Sequence, residues 1–228
     1  MSFQSLYDKF TGPCIRRIHS KELTIKSLFL TFDDGPHDVL TKKVLELLKK
    51  YQSRATFFVI GNHVKDNLDI AKLIIEEGHA IGNHTIDHDT NNYFKNKSHL
   101  KAWVQTSEDF LKEQLACEVV GFRSPLGMKT PPLMRALKED QLPLILWDTR
   151  FYDTNNELTK TKMDTALAKL QNGSIILLHD TLESSKQENF LIQLEYFITC
   201  AKEEGYNFLP LTKAMVTNTF QEKYGLKK

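Results

Sequence analysis

At 228 residues, with 30 basic and 29 acidic side chains and a formal net charge of +1, the chain is long enough for one substantial core and has no charge excess to draw nucleic acid or an anionic membrane surface. No apolar run approaches the length of a membrane span and residues 1–20 hold no apolar h-region, so no membrane span, no signal peptide and a cytoplasmic location are expected. Cys14, Cys117 and Cys200 are odd in number and dispersed, which argues against a disulfide framework or a thiolate zinc site and for reduced thiols.

In chain order, short β-rich runs alternate with longer amphipathic segments. The first run, Ser27 to Phe32, ends in Asp33-Asp34 and then Gly35-Pro36. Two carboxylates crowded at a strand end are costly unless a cation or a proton compensates. A helix over Val39 to Tyr51, a strand over Ala55 to Ile60 and a helix over Asn67 to Glu76 follow, the helices marked by apolar residues on one face. A short strand at His79 to Ile81 leads to His84 and His88, whose spacing places both imidazoles on one side if the segment is helical. Next come a helix over Leu100 to Leu115, with Trp103 on its apolar face, and a strand over Val119 to Phe122 that ends at Arg123. Pro131 to Lys138 reads as a helix, Leu144 to Trp147 as a strand before Asp148 and Asp153, and Thr161 to Leu170 as a helix. Ser174 to Leu178 is a buried strand ending at His179, followed by a helix over Glu188 to Glu204, a strand at Asn207 to Leu209 and a solvated tail at Lys223 to Lys228.

Such alternation predicts parallel strands joined by crossover helices, closed as a barrel or left as an open sheet. No Pro-, Gly- or Ser-rich linker divides the chain, so a single domain is expected. His84 and His88 with one carboxylate of the Asp33-Asp34 pair offer three ligands of Asp and His type and leave a spare carboxylate for general-base work. A structural zinc site fills all four positions with protein, whereas three such ligands leave one open for chemistry. Two histidines and one carboxylate also match the facial triad of iron(II) enzymes, although the order of these residues within alternating strands and helices disfavours that reading. The remaining histidines, His19, His63, His79 and His99 among them, read as surface or loop residues, and His37 as a rim residue beside the Gly35-Pro36 turn.

Five ordered motifs, Thr31-Phe32-Asp33-Asp34-Gly35-Pro36, His84-Thr85-Ile86-Asp87-His88, Arg123-Ser124-Pro125-Leu126-Gly127, Trp147-Asp148 with Asp153, and Leu177-Leu178-His179-Asp180, resemble those of the NodB-type polysaccharide deacetylases, carbohydrate esterase family 4. The resemblance implies an α/β fold, a distorted and incomplete (β/α) barrel over residues 27–211, with an N-terminal extension at 1–26 and a C-terminal helix or tail at 212–228. It also implies Asp34, His84 and His88 as ligands of one divalent metal ion, zinc first, with cobalt or nickel as substitutes. Asp33 becomes the general base, Arg123 the side chain that orients it, and His179 the general acid supported by Asp153, or by Asp148 in its place. Leu177 lines an acetyl-methyl pocket, and Leu126 and Trp147 belong to the substrate wall.

The implied activity removes N-acetyl groups from N-acetylglucosamine-type amino sugars, in an oligo- or polysaccharide such as chitooligosaccharide or peptidoglycan, with release of acetate, and the implied partner is an N-acetylated amino sugar, with no obligate protein partner. Hydrolysis of a non-sugar amide or imide, or a non-catalytic carbohydrate-binding role, is the alternative. Two residues depart from the family pattern: Leu126 stands where an aromatic residue is common, and Thr154 where Trp is common. Losing both removes stacking surface for a long flat polymer and favours a short oligosaccharide or a lipid-linked amino sugar, unless Phe151 and Tyr152 compensate.

Overall fold

The computed structural model describes residues 11–19 and 23–224. Its centre is β1 (Ser27–Asp33), buried along its whole length, as a parallel strand covered on both faces must be. Around it lie β2 (Ala55–Val59), β3 (Ala80–Asn83), β4 (Val119–Phe122), β5 (Thr149–Arg150), β6 (Ile175–His179) and β7 (Asn207–Phe208). All pairings are parallel, in the order β4-β3-β2-β1-β6-β5, with β7 added beside the start of β1. The crossovers are helical, as connections between parallel strands usually are: α1 (Leu40–Lys50), α2 (Gly61–Asp66), α3 (Leu68–Glu76), α4 (Lys97–Leu115), α5 (Pro131–Glu139), α6 (Lys160–Leu167) and α7 (Ser184–Glu203), with α8 (Lys213–Tyr224) closing the described chain. Each long helix buries one stripe. In α1 that stripe is Leu40, Val44, Leu45 and Leu48, while Lys49 and Lys50 meet the negative end of the helix dipole.

Strand alternation sorts the core into two layers. Leu28, Leu30 and Phe32 of β1 face outward into the largest apolar cluster, under α1 and α7. Phe29 faces inward, with Phe58, Val120, Ile145 and Ile175. Thr31 and Asp33 share that inward parity, so β1 runs from apolar filling to a buried carboxylate as it reaches its carboxyl end.

The barrel is incomplete between β4 and β5. Leu144 to Trp147, expected as a strand, instead crosses this gap: Leu144 bridges Phe122 beside β4, and Asp148 donates its backbone N–H to Ile175 beside β6. An apolar segment that leaves one strand for another makes single bridges rather than a ladder. Residues 14–18 fill the same gap, with Ile15 bridging Ile145, Arg17 bridging Ser174, and Cys14, Ile15 and Ile18 fully buried. Val216 of α8 is equally buried against Leu211. Residues 1–10, 20–22 and 225–228, parts of the expected extension and tail, lie outside the described residues.

Candidate active site

Asp33, Asp34, His84, Arg123 and His179 lie at the carboxyl end of the sheet, where loops from separate strands converge, whereas Asp148, expected with them, precedes β5 and donates its N–H to Ile175 at the start of β6, the other end of the sheet. The β1–β6 register sets Asp33 directly opposite His179, and β3 ends at Asn83, one residue before His84. After Asp33 the chain turns sharply through Asp34 at φ 74°, so the two adjacent carboxylates diverge. Gly35 follows against Asp180, where a Cβ would stand 2.5 Å from both carboxylate oxygens.

His84 and His88 do not share a helix, contrary to the expectation from their spacing. They lie in a loop with left-handed residues at Thr85 (φ 72°) and His88 (φ 56°), and this loop brings the two rings to 5.0 Å. Asn83 holds the turn by accepting the Thr85 N–H at 2.8 Å, and Thr85 Oγ1 accepts the His88 N–H at 3.0 Å. His84 Nδ1 lies 2.8 Å from the Arg123 carbonyl. Donation there leaves the Nε2 lone pair facing Asp34, the tautomer a metal-ligating histidine adopts.

Asp34 Oδ1 is the focus of the site. It is buried and makes no hydrogen bond, yet it stands 3.3 Å from His84 Nε2 and 3.5 Å from His88 Nε2. One ligand atom from each of the three residues falls within 4.8 Å of the others. A buried orphan carboxylate oxygen facing two imidazole nitrogens is the donor set a divalent cation satisfies. Burial works against ionisation of Asp34, but the proximity and charge of His84, with His179 and His88 adding, pull its carboxyl down to about 2. Burial likewise opposes a charge on His84, and Asp33 and Asp34 outweigh it and raise its pKa. His88 shifts the other way, lowered by burial and by His84. The two carboxylates therefore draw positive charge to this spot, as imidazolium or as a metal ion.

Behind Asp33 lies Arg123, fully buried in the barrel interior. Its Nη1 donates to Asp33 Oδ1 at 2.6 Å and to Thr31 Oγ1 at 2.8 Å, Nε donates to the Ile145 carbonyl at 3.1 Å and Nη2 to that of Leu146 at 3.3 Å. The guanidinium also lies 3.9 Å from the Phe58 ring centre. Gly82 makes room for that ring, since a Cβ there would meet it at 2.3 Å. On the other side, Asp153 grips His179 twice, accepting its backbone N–H at 2.7 Å and facing Nδ1 at 2.9 Å. Burial disfavours the imidazolium, but the hydrogen bond and charge of Asp153, with Asp33 and Asp34, hold its pKa up to about 9. Asp148, considered as a substitute for Asp153, is committed elsewhere, to Arg17 at 2.8 Å and Ser174 Oγ at 3.0 Å.

Asp33, Asp34, His84, His88 and His179 line one cavity of about 320 Å³, with Leu126, Trp147, Arg150, Tyr152, Thr154, Asn155 and Leu177 as its walls. A family model described as polysaccharide deacetylase matches residues 20–145. The chain belongs to the polysaccharide deacetylase family. A peptidoglycan-N-acetylglucosamine deacetylase of Bacillus cereus is 32% identical over 196 residues, which cover 83% of this chain and 88% of that one. Among solved structures, a carbohydrate esterase family 4 pseudoenzyme from Bacillus anthracis superposes with a TM-score of 0.75 at 27% identity, over 89% of this chain and 69% of its own. A family 4 acetyl xylan esterase from Clostridium thermocellum, solved with a cobalt ion, gives 0.72 at 26% identity, over 87% and 92%.

The two departures from the family pattern, Leu126 and Thr154, both line this cavity. Leu126 is 71% exposed on a 3₁₀ turn at φ 58°, and Thr154 follows Asp153 in the loop after β5. Several partners were not anticipated from sequence. Thr31 shares Arg123 with Asp33, and His63, expected at the surface, places Nδ1 2.6 Å from the Asp34 carbonyl. Asp180 is wholly buried, accepts from Thr41 at 2.5 Å, and is pushed by burial up to about 7. Its position directly after His179 was the one available signal. His79 is also buried rather than exposed, accepts the Ala55 N–H at 3.0 Å, and is lowered by burial to about 4. His37 does not line the cavity but accepts the N–H groups of Val39 and Leu40 at the start of α1.

Proposed function

We propose that the chain is a metal-dependent hydrolase that removes the N-acetyl group from N-acetylglucosamine-type sugars and releases acetate. The orphaned Asp34 Oδ1 between two imidazoles, in one cavity with Asp33 and His179, carries this reading. Asp34, His84 and His88 would hold the ion, which when bound supplies Lewis acidity. Asp33 accepts a proton from the attacking water, positioned by the Arg123 hydrogen bond. His179 delivers a proton to the amine nitrogen as the C–N bond breaks, since an amine anion is a poor leaving group. Leu177 and Trp147 offer apolar walls for the acetyl methyl and the sugar. The cavity is at the small end of ligand pockets, roughly 300–1,000 Å³, which suits a short saccharide better than a long buried polymer.

A pseudoenzyme with this fold means that the fold alone does not confer activity. Here the base, the acid and three ligand atoms all meet in the cavity, which favours turnover over carbohydrate binding alone. Zinc-loaded protein is expected to release acetate from short N-acetylglucosamine oligomers. His84→Ala is expected to lose both the bound ion, read by elemental analysis, and turnover. Ammonia or ring-opened product from amides and imides, with no acetate from sugars, would replace this reading by the non-sugar one.

The acid role carries a pH dependence. His179 donates only while protonated, so activity should fall as pH rises through its pKa. Asp153→Asn removes the carboxylate that raises that pKa, and the alkaline limb of kcat should move to lower pH. An unmoved limb would detach His179 from the acid step.

A further inference from the structure

A second and larger cavity, about 440 Å³, opens beside the first, between β5 and α6. Arg17, Asp148, Arg150, Tyr152, Lys162 and Lys169 supply its polar lining. Its one carboxylate is already spent, because Asp148 pairs with Arg17 at 2.8 Å and accepts from Ser174. The other cations have no carboxylate partner among the described residues. Lys162 donates to the Glu157 carbonyl at 2.7 Å, and Arg150 lies 3.9 Å from the Tyr152 ring centre and 5.9 Å from that of Trp147. Phe151 and Ala166, both nearly buried, add apolar floor. Charges of one sign in a concavity with low-dielectric walls focus their field on whatever enters.

Arg150 and Tyr152 line both this cavity and the one holding Asp33 and His179. A ligand seated in the first can therefore reach the second around a shared wall. We propose that the β5–α6 cavity binds an anionic group, a carboxylate or a phosphate, carried by the acetylated amino sugar whose amide lies at Asp33 and His179. This rests on the deacetylase reading and narrows it: the substrate class is an acidic saccharide, not neutral chitin-like chains. Arg150 donates from Nη2 to the Tyr152 hydroxyl and keeps its remaining guanidinium N–H groups for such an oxyanion, and Lys162 and Lys169 add point charge.

The test compares three substrates of equal length on the zinc-loaded full chain: a neutral N-acetylglucosamine oligomer, one whose neighbouring sugar bears a lactyl-ether carboxylate, and one bearing a terminal phosphate. The expected result is a KM about tenfold lower for at least one acidic substrate than for the neutral one, with the preference weakened by salt. The double variant Lys162→Ala/Lys169→Ala, at residues that do not line the catalytic cavity, should abolish that preference and leave kcat/KM for the neutral oligomer unchanged. Whichever acidic arm is favoured identifies the anion. Equal KM values in the parent, or a double variant that slows the neutral oligomer just as much, would overturn the proposal. If no substrate yields acetate, the deacetylase reading fails instead, and titration of inorganic phosphate and N-acetylmuramic acid by calorimetry decides the cavity. Binding lost in the double variant supports it, whereas absent or unchanged binding refutes it.

Discussion

Asp33→Asn is expected to lower deacetylation by about 10²–10⁴-fold, the usual worth of a positioned general base, while leaving the metal content at one ion per chain. The two readouts separate because the adjacent carboxylates would do different work in the proposed reaction. Asp34 Oδ1 sits 3.3 Å from His84 Nε2, whereas the nearer Asp33 oxygen is 3.9 Å away and its partner oxygen is bound to Arg123. An asparagine keeps one oxygen to accept from Arg123, so the fold should survive, but it has no basic lone pair to take a proton from water. Elemental analysis and acetate release on the same preparation check this. Undiminished turnover would remove Asp33 from the base role, and a lost ion would make it a ligand.

Arg123→Met should be the most destabilising single change in the site. Arg123 is fully buried and Asp33 is 3% exposed, so removing the cation strands a carboxylate away from water. Breaking such a pair costs about 3–5 kcal/mol. The same change frees Thr31 Oγ1 and the carbonyls of Ile145 and Leu146 from a donor, loosening the segment that crosses between β4 and β6. For a chain of this size the melting midpoint should fall by on the order of 10 °C. Arg123→Lys should fall between the two, since one ammonium supplies charge but cannot reach all four acceptors. A midpoint equal to that of the parent in Arg123→Met would show that Asp33 finds its compensation elsewhere, with His84 the nearest candidate.

Much of this site was legible because parallel strands deliver their end residues to one place. Reading Asp33, His84, Arg123 and His179 as strand-end residues was enough to predict that they converge, and the β1–β6 register realises it. What failed was conformation that sequence spacing does not encode. The interval from His84 to His88 looks helical, yet Thr85 and His88 adopt left-handed conformations that no local preference of Thr or His advertises. Leu144 to Trp147 has strand chemistry, but its pairing is decided by the gap it crosses. His79 and Asp180 were misjudged or overlooked because burial of a polar group depends on partners far along the chain, here Ala55 and Thr41. Asp148 and Asp153 lie close together in sequence, both well before His179, and only three-dimensional packing assigns one to Arg17 and the other to the imidazole.

The ladder between β1 and β6 has a consequence for redesign. Asp33 and His179 face each other across neighbouring hydrogen-bonded strands, so backbone spacing fixes the distance between them. Leu126, Thr154 and Asn155, which line the cavity around them, belong to connecting segments. In the proposed reaction, specificity would behave as a replaceable fitting on a rigid reaction frame: loops could be exchanged to admit another sugar without retuning the chemistry beneath them.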